Sequence, residues 1–408
     1  MTAKNHNIRI VINGTQIRDW VSYEIESDIM QPADAFSFVI ANPSGRYAGE
    51  FLPFHQAQLF VDDTLQMSGY VDTVSCNSDR STIEITGRDV FGQLVDCDAD
   101  PQTINNKTLL EIAQDLSRPY GVLSWSVDNE QNRAALQKAK NKLSTFKRHR
   151  DAMANVLSAA AIATGADAAQ ILNSAYDETR SPDLKRKLDA MRNNIASVKL
   201  KVFPKIKIEP GQKVFEIIKD AANKSGLMLW CANDGTGIIA KPNYNQSAAY
   251  TLSLRPYSDK MHGVNNVIRG TVTFDGSNRY SQYRILATTG NTRQNYERSS
   301  IFDTTMIDPD VAIDRKIILL SEGRNRSDVD EIARKEYTER AFNAITAEYD
   351  VVGHSQNGML FQADSICSVD DQVNGLSAAM YITSRRFRGS DAGQTTTIKL
   401  NPIGLLLA

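Results

Sequence analysis

The chain has 408 residues, 41% of them apolar and 23% charged, with a net charge of −2. This is the composition of an ordinary globular protein, long enough for about two to four domains. The charge balance argues against a protein that coats nucleic acid through surplus Lys and Arg. With no run of 18 or more apolar residues, no helical membrane span is expected.

Residues 1–7 lead directly into a strand and lack the apolar core of a signal peptide. Residues 8–12 alternate as a strand, and Asn13-Gly14 is a hairpin turn. Alternation continues through 20–27 and 35–40, where Phe36, Phe38 and Ile40 share one face, until the turn cluster Asn42-Pro43-Ser44-Gly45. Residues 58–87 then hold a strand-turn-strand unit: Phe60-Val61-Asp62-Asp63, Gly69-Tyr70-Val71-Asp72-Thr73-Val74 and Thr82-Ile83-Glu84-Ile85-Thr86-Gly87, with a turn through Asn77-Ser78-Asp79-Arg80. Period-two alternation closed by Gly and Asp predicts half-buried antiparallel strands, and five to seven of them predict a small barrel or sandwich.

Residues 108–117 are predicted as a short amphipathic helix: Leu109, Ile112, Ala113 and Leu116 fall at helical spacing, and Thr108 with Glu111 forms a capping box. Pro119-Tyr120-Gly121 stops it, and residues 122–127 form a strand. From 130 to 198 the strand signal vanishes and Ala, Leu, Lys, Arg, Asp and Gln dominate, which predicts three or four helices. This segment is locally basic. It is read as a bundle with a solvated cationic face, the alternative being a docking surface for an acidic partner. Strand character resumes at 205–208, followed by Glu209-Pro210-Gly211 and a helix over 213–225 with Val214, Phe215, Ile218, Ala221 and Ala222 on one face. Strands at 227–231 and 237–240 complete a small α/β unit into which residues 130–198 insert.

From Tyr250 the pattern is β again. Residues 266–273 and 279–288 are predicted as one long hairpin around Asp275-Gly276-Ser277-Asn278, and a helix begins near Ser327. The end of the chain repeats the opening unit: Ser368-Val369-Asp370-Asp371, a break at Asn374-Gly375, Met380-Tyr381-Ile382-Thr383, a turn at 389–393 and Thr396-Thr397-Ile398-Lys399-Leu400. Two such units about 310 residues apart predict two related β domains. Alternating strands resemble one another, so coincidence is the competing reading. Residues 403–407 form an apolar tail.

Chemistry-bearing patterns are sparse. Cys76, Cys97, Cys231 and Cys367 have neither metal-ligand spacing nor a disulfide framework. His6, His55, His149, His262 and His354 lie in unrelated contexts, and no His-Glu-x-x-His, Gly-x-Ser-x-Gly or phosphate-binding Gly-Lys-Ser/Thr loop occurs. The pairs Asp62-Asp63 and Asp370-Asp371 stand at strand ends, where Asp serves turns. No catalytic, cofactor-binding or metal-ligating residue is nominated, and no cofactor is expected. Residues 208–218 are similar to the opening of a LysM peptidoglycan-binding module, a motif short enough to be a plain turn and helix.

Several stretches together resemble the Mu-type phage tail baseplate hub proteins, the late control protein D-like contractile tail hubs. They are Phe36-Ser37-Phe38-Val39-Ile40-Ala41-Asn42-Pro43, Gly69-Tyr70-Val71-Asp72, Ile85-Thr86-Gly87-Arg88-Asp89, Leu94-Val95-Asp96-Cys97, Pro119-Tyr120-Gly121 and Val214-Phe215-Glu216-Ile217-Ile218. Later come Asn265-Asn266-Val267-Ile268, Glu336-Tyr337-Thr338-Glu339-Arg340 and Tyr349-Asp350-Val351-Val352-Gly353. The resemblance implies a mainly β chain with α+β parts: two related, tail-tube-like β-barrel domains (1–97 and 249–408) and an α/β domain (98–129 and 199–248); the helical insertion (130–198) departs from the typical member of the family. It implies a non-enzymatic structural hub, a homotrimer whose pseudo-sixfold ring joins the hexameric tail tube to the trimeric central spike. Tape measure and baseplate wedge proteins are further implied partners, with no sequence-specific nucleic acid. The expected location is the virion tail baseplate, assembled in the host cytoplasm. The alternative is a tail-associated component that binds or hydrolyses peptidoglycan.

Overall fold

The computed structural model describes residues 5–42, 45, 47, 49–76, 81–128, 202–257, 265–288, 301–321 and 326–404. The predicted helical insertion at 130–198, the turn through 77–80 and most of the apolar tail lie outside these residues.

The first β region contains β1 (Ile8–Ile12), β2 (Thr15–Ile17), β3 (Trp20–Asp28), β4 (Ala35–Ala41), β5 (Gln56–Val61), β6 (Thr64–Cys76) and β7 (Thr82–Asp89). Its strands hydrogen-bond in the order β2-β1-β5-β6-β7-β4-β3, every pair antiparallel. The alternation read from the sequence is the burial pattern found: Phe36, Phe38 and Ile40 are buried, as are Ile83 and Ile85, while their neighbours reach outward.

The chain then leaves the sheet through α1 (Phe91–Asp96), β8 (Thr103–Thr108), α2 (Leu109–Ser117) and β9 (Trp125–Asp128). It resumes with β10 (Val202–Lys207), α3 (Val214–Asn223), β11 (Met228–Cys231) and β12 (Gly237–Ala240). The capping box forms as predicted: Thr108 Oγ1 accepts from Glu111 N, and Glu111 Oε2 accepts from Thr108 N at 2.7 Å. The helices bury one apolar stripe each, and Leu109, Ile112, Phe215 and Ile218 meet in a core separate from that of the barrels. Strand β8 pairs with β10, and β9 runs parallel to β12. Thus the segments up to Asp128 and from Val202 onward interleave as one α/β unit.

The last part holds β13 (Tyr250–Leu254), β14 (Val267–Phe274), β15 (Gln282–Thr288), β16 (Ile301–Ile307), β17 (Lys316–Ser321) and α4 (Arg326–Asn343). It ends with β18 (Ile345–Val352), β19 (Ser355–Gln356), β20 (Met359–Leu360), β21 (Ser365–Asp371), β22 (Leu376–Ser390) and β23 (Gly393–Pro402). One expectation is corrected here. Strands β14 and β15 do not form a hairpin with each other. β14 pairs with β18, whereas β15 lies between β16 and β17 in a separate three-stranded sheet. Ile285 of β15 packs on Val329 and Ala333 of α4, so burial against the helix draws β15 into its own layer. Period-two alternation identifies a strand but does not name its partner.

The second barrel runs β13-β21-β22-β23-β18-β14. It closes where Asn266 meets Ser253: Asn266 N donates to Ser253 O at 3.3 Å, and Ser253 N donates to Asn266 Oδ1 at 2.8 Å. Numbered in chain order, the six common strands of either barrel follow one neighbour sequence: first, fourth, fifth, sixth, third, second. The one difference is direction. β1 is antiparallel to β5, and β13 is parallel to β21.

Bulges repeat as well. An extra residue interrupts the central long strand at Asp72 in the first barrel and at Thr383 in the second. Another interrupts the outer strand at Val21 and at Ile268. Bulges set local twist and curvature, so their recurrence at matching positions gives the two barrels matching bends.

Candidate functional site: the seam between the two barrels

Among the described residues, no three His, Cys, Asp or Glu side chains converge as a metal-binding group. The carboxylate pairs hold turns. Asp62 accepts from His6 Nδ1 and from Asn7 N, both at 2.8 Å. Asp371 accepts from Val373 N, Asn374 N and the Tyr349 hydroxyl, and Asp370 pairs with Arg255. The LysM-like stretch turns Val214, Phe215, Ile217 and Ile218 into the α/β core.

The most elaborate arrangement lies where the barrels join. Strand β22 is 15 residues long, too long for one barrel. Its first half, from Leu376 to Ile382, pairs with β21, and from Ser384 to Gly389 the same edge pairs antiparallel with β3 of the first barrel. The bulge at Thr383 marks the changeover. Thirteen of the described strands therefore form one continuous sheet.

Alternation divides the seam into two faces. On the inner face Tyr23, Ile25 and Phe387 are buried in a core that both barrels share. Burying each such side chain contributes about 1.5–3 kcal/mol. On the outer face Arg386 binds Glu26 at 2.8 Å and Glu24 at 3.3 Å, and Arg388 binds Glu24 at 2.9 Å. These pairs remain partly solvated, so each is worth about 0.2–1 kcal/mol and mainly fixes register.

Arg385 points inward and is 1% exposed. Its guanidinium donates to Ile25 O at 3.2 Å and Gln66 Oε1 at 3.1 Å, and it stacks over Phe387 at 4.2 Å. Burial pulls its pKa down to about 10. Nearby, Asp28, Asp34 and Asp89 brace the turn after β3. Asp28 N donates to Asp34 Oδ1 at 2.7 Å, and Asp34 N donates to Asp89 Oδ2 at 3.1 Å. Burial pushes Asp89 up to about 7, and burial with the neighbouring Asp89 charge raises Asp34 well above the ordinary range.

At the far end of the seam, His354 meets Tyr23 at 2.6 Å and Thr396 at 3.0 Å, while His6 binds Ser355 at 3.0 Å. Burial holds His354 down to about 3, with the neighbouring His6 and Arg385 adding to the effect. Sequence reasoning missed this cluster, because its members are far apart in the chain. The α/β unit is tied to the first barrel by Arg88, which binds Asp72 at 2.7 Å and Asp96 at 2.5 Å.

Two bulged barrels fused through a shared strand, with polar ties along the seam, define a mainly β class of paired barrels. Comparison with known proteins is consistent with that class. Residues 7–89 match the family model described as Mu phage baseplate assembly protein GpP-like, N-terminal. The baseplate hub protein gp44 of Escherichia phage Mu is 26% identical over 136 residues, which span 32% of this chain and 36% of that relative. The fold is shared with the tail protein of Neisseria meningitidis MC58, at TM-score 0.71 and 21% identity, covering 99% of this chain and 98% of the other. It is also shared with the 43 kDa tail protein of prophage MuSo2 from Shewanella oneidensis, at TM-score 0.69 and 19% identity, covering 99% and 100%. Over these stretches the chain is similar to Mu-type baseplate proteins, and along nearly its whole length it shares the fold of the two tail proteins.

Proposed function

We propose that this chain is the structural hub of a phage or phage-like tail baseplate. Three copies form a ring of six barrels that joins a hexameric tail tube to a trimeric central spike. The observation that carries this reading is the strand order and bulge pattern repeated in the two barrels. A sixfold tube presents the same surface every sixth of a turn. A trimer with one contact barrel per subunit meets alternate positions only, and a second barrel of the same topology supplies the others. Heterologous contacts whose rotation closes give such rings.

In this reading residues 1–97 and 249–408 are the ring domains. Residues 98–129 with 199–248 form the α/β domain, and 130–198 are a helical insertion on it. The role is mechanical, without a catalytic step, and it places the chain in the virion tail baseplate. Tape measure and wedge proteins are the further contacts.

Native mass measurement of the purified chain tests the proposal. The expected result is a mass of three chains, with a six-lobed ring in averaged electron micrographs. A stable dimer or tetramer, or a ring without pseudo-sixfold repetition, overturns it. Incubation with peptidoglycan is expected to leave the polymer intact and the protein in solution; degradation or co-sedimentation would favour the wall-active reading instead.

A further inference from the structure

The two long strands β6 and β22 correspond through their bulges, Asp72 to Thr383. By the same register, Thr73 corresponds to Ser384, Ser75 to Arg386 and Cys76 to Phe387. Beyond the bulge, β22 uses its free edge to pair with β3. The equivalent stretch of β6, Thr73 to Cys76, pairs with β7 on one edge and has no strand on the other among the described residues. Thr73, Ser75 and Cys76 are exposed there.

The partner of that seam has a counterpart too. β3 and β14 correspond through their bulges, Val21 to Ile268, so Tyr23 corresponds to Gly270 and Ile25 to Val272. β3 engages β22 from Tyr23 onward. β14 ends the sheet, and from Gly270 onward its outer edge pairs with no strand among the described residues. Phe274, on that edge, is 64% exposed. An unpaired edge carrying apolar side chains is a template for another strand. The chain thus shows one completed seam and, separately, both halves of a second one.

We propose that the Thr73–Cys76 edge of one subunit pairs antiparallel with the Val272–Phe274 edge of a second copy of this chain. This repeats between subunits the β22–β3 seam found within one. The inference rests on the ring reading and supplies its contact. Transferring the internal register sets Val74 opposite Phe274, Ser75 opposite Thr273 and Cys76 opposite Val272. Val74, Cys76, Val272 and Phe274 then cover one another on the inner face, as Phe387 and Ile25 do within the chain. Ser75 and Thr273 occupy the positions of Arg386 and Glu26. The seam between subunits therefore lacks the ionic ladder of the internal one, and salt is expected to leave it intact. The contact is head-to-tail, because each copy offers a β6 edge and a different β14 edge, so it propagates until the ring closes.

Cys76 makes the register testable. Directly opposed residues of antiparallel strands have Cα atoms about 4.5–5.5 Å apart, within the span a disulfide bridges. In the full chain, Val272→Cys under mild oxidation should give a non-reducing ladder of one, two and three linked chains. Val272→Cys combined with Cys76→Ser should give none. A second pair on the outer face, Ser75→Cys with Thr273→Cys in the Cys76→Ser background, should link likewise, whereas Thr271→Cys in place of Val272→Cys should not. Native mass is measured on each variant. A trimer that forms neither link, by oxidation or with a short bis-maleimide, overturns this pairing and leaves the ring reading standing. A chain that is monomeric at every concentration, with no link, overturns both.

Discussion

The Tyr23 hydroxyl donates to Nε2 of His354 over 2.6 Å, joining residues 331 positions apart. The direction of the bond follows from its neighbours. Thr396 gives its own hydroxyl proton to Gly353 O at 2.6 Å, so its oxygen accepts from His354 Nδ1–H at 3.0 Å. Nε2 is then left as an acceptor, and Tyr23 must donate. The neutral imidazole, packed on Phe387 at 4.5 Å, is thereby fixed in one tautomer.

That arrangement predicts acid sensitivity. His354 is fully buried, and burial holds its pKa to about 3, below the ordinary 6.5. Between those values the unfolded chain takes up a proton that the folded chain refuses. Stability from this group is therefore complete above about pH 6.5 and is lost as pH falls toward 3, by at most about 5 kcal/mol. His354→Gln should lower the melting temperature at pH 7.5 and flatten its decline between pH 6.5 and 4. An unchanged acid slope in thermal melts would show that His354 is not the group responsible.

Asp89 acts in the opposite direction. Burial raises it to about 7, above the ordinary 3.8. The folded chain keeps a proton that the unfolded chain releases, so this contribution is present below about pH 3.8 and is lost as pH rises through 7. Asp34, next to it, is raised in the same sense. Asp89→Asn is expected to reduce the fall in melting temperature between pH 5 and 8. Equal slopes for the variant and the parent would refute it.

Arg385 tests whether the buried cation stabilises the seam or merely specifies it. Arg385→Ala leaves Ile25 O and Gln66 Oε1 without their donor and opens a cavity, and is expected to cost about 3–5 kcal/mol. Nε of Arg385 has no hydrogen-bond partner among the described residues. Arg385→Met, which keeps the volume and removes the charge, should therefore cost less than half as much. Chemical denaturation of both variants measures the difference. Equal losses would mean that the charge itself, rather than filled space, holds the barrels together.

Much of the barrel architecture was legible because strand alternation and turn chemistry are local. Phe36, Phe38 and Ile40 announce a face, Asn13-Gly14 announces a turn, and Thr108 with Glu111 announces a helix start. The repeat was legible through the Asp-Asp ends of β5 and β21. What was not legible depends on partners distant in sequence. Nothing near Asp275 tells β14 to choose β18 over β15. His6, His354, Tyr23 and Arg385 read as scattered residues, since the seam that gathers them exists only after both barrels form. The small α1 was also missed: six residues do not reveal a helical period, although Phe91 and Leu94 are buried at helical spacing.

The seam has little room for added volume, and Gly389 shows where. Gly389 stands opposite Tyr23 in the β22–β3 register. A Cβ built there would lie 2.1 Å from Tyr23 Cε1 and 2.6 Å from its hydroxyl oxygen. The ring has no easy escape, because it is 4% exposed, stacks on Phe38 at 5.7 Å and is held by His354. Gly389→Ala must therefore displace Tyr23 or part the strands, at a cost of about 1–3 kcal/mol. Tyr23→Leu alone loses the hydroxyl's bond to His354 and should cost a similar amount. In the double variant the smaller side chain accommodates the alanine, so the combined loss should be less than the sum by about 1 kcal/mol or more, a coupling expected for residues in contact. Denaturant melts of the three variants decide it. Strict additivity would mean that the strand edge has room that the geometry denies, and that the two barrels meet less tightly at Tyr23 than their shared core implies.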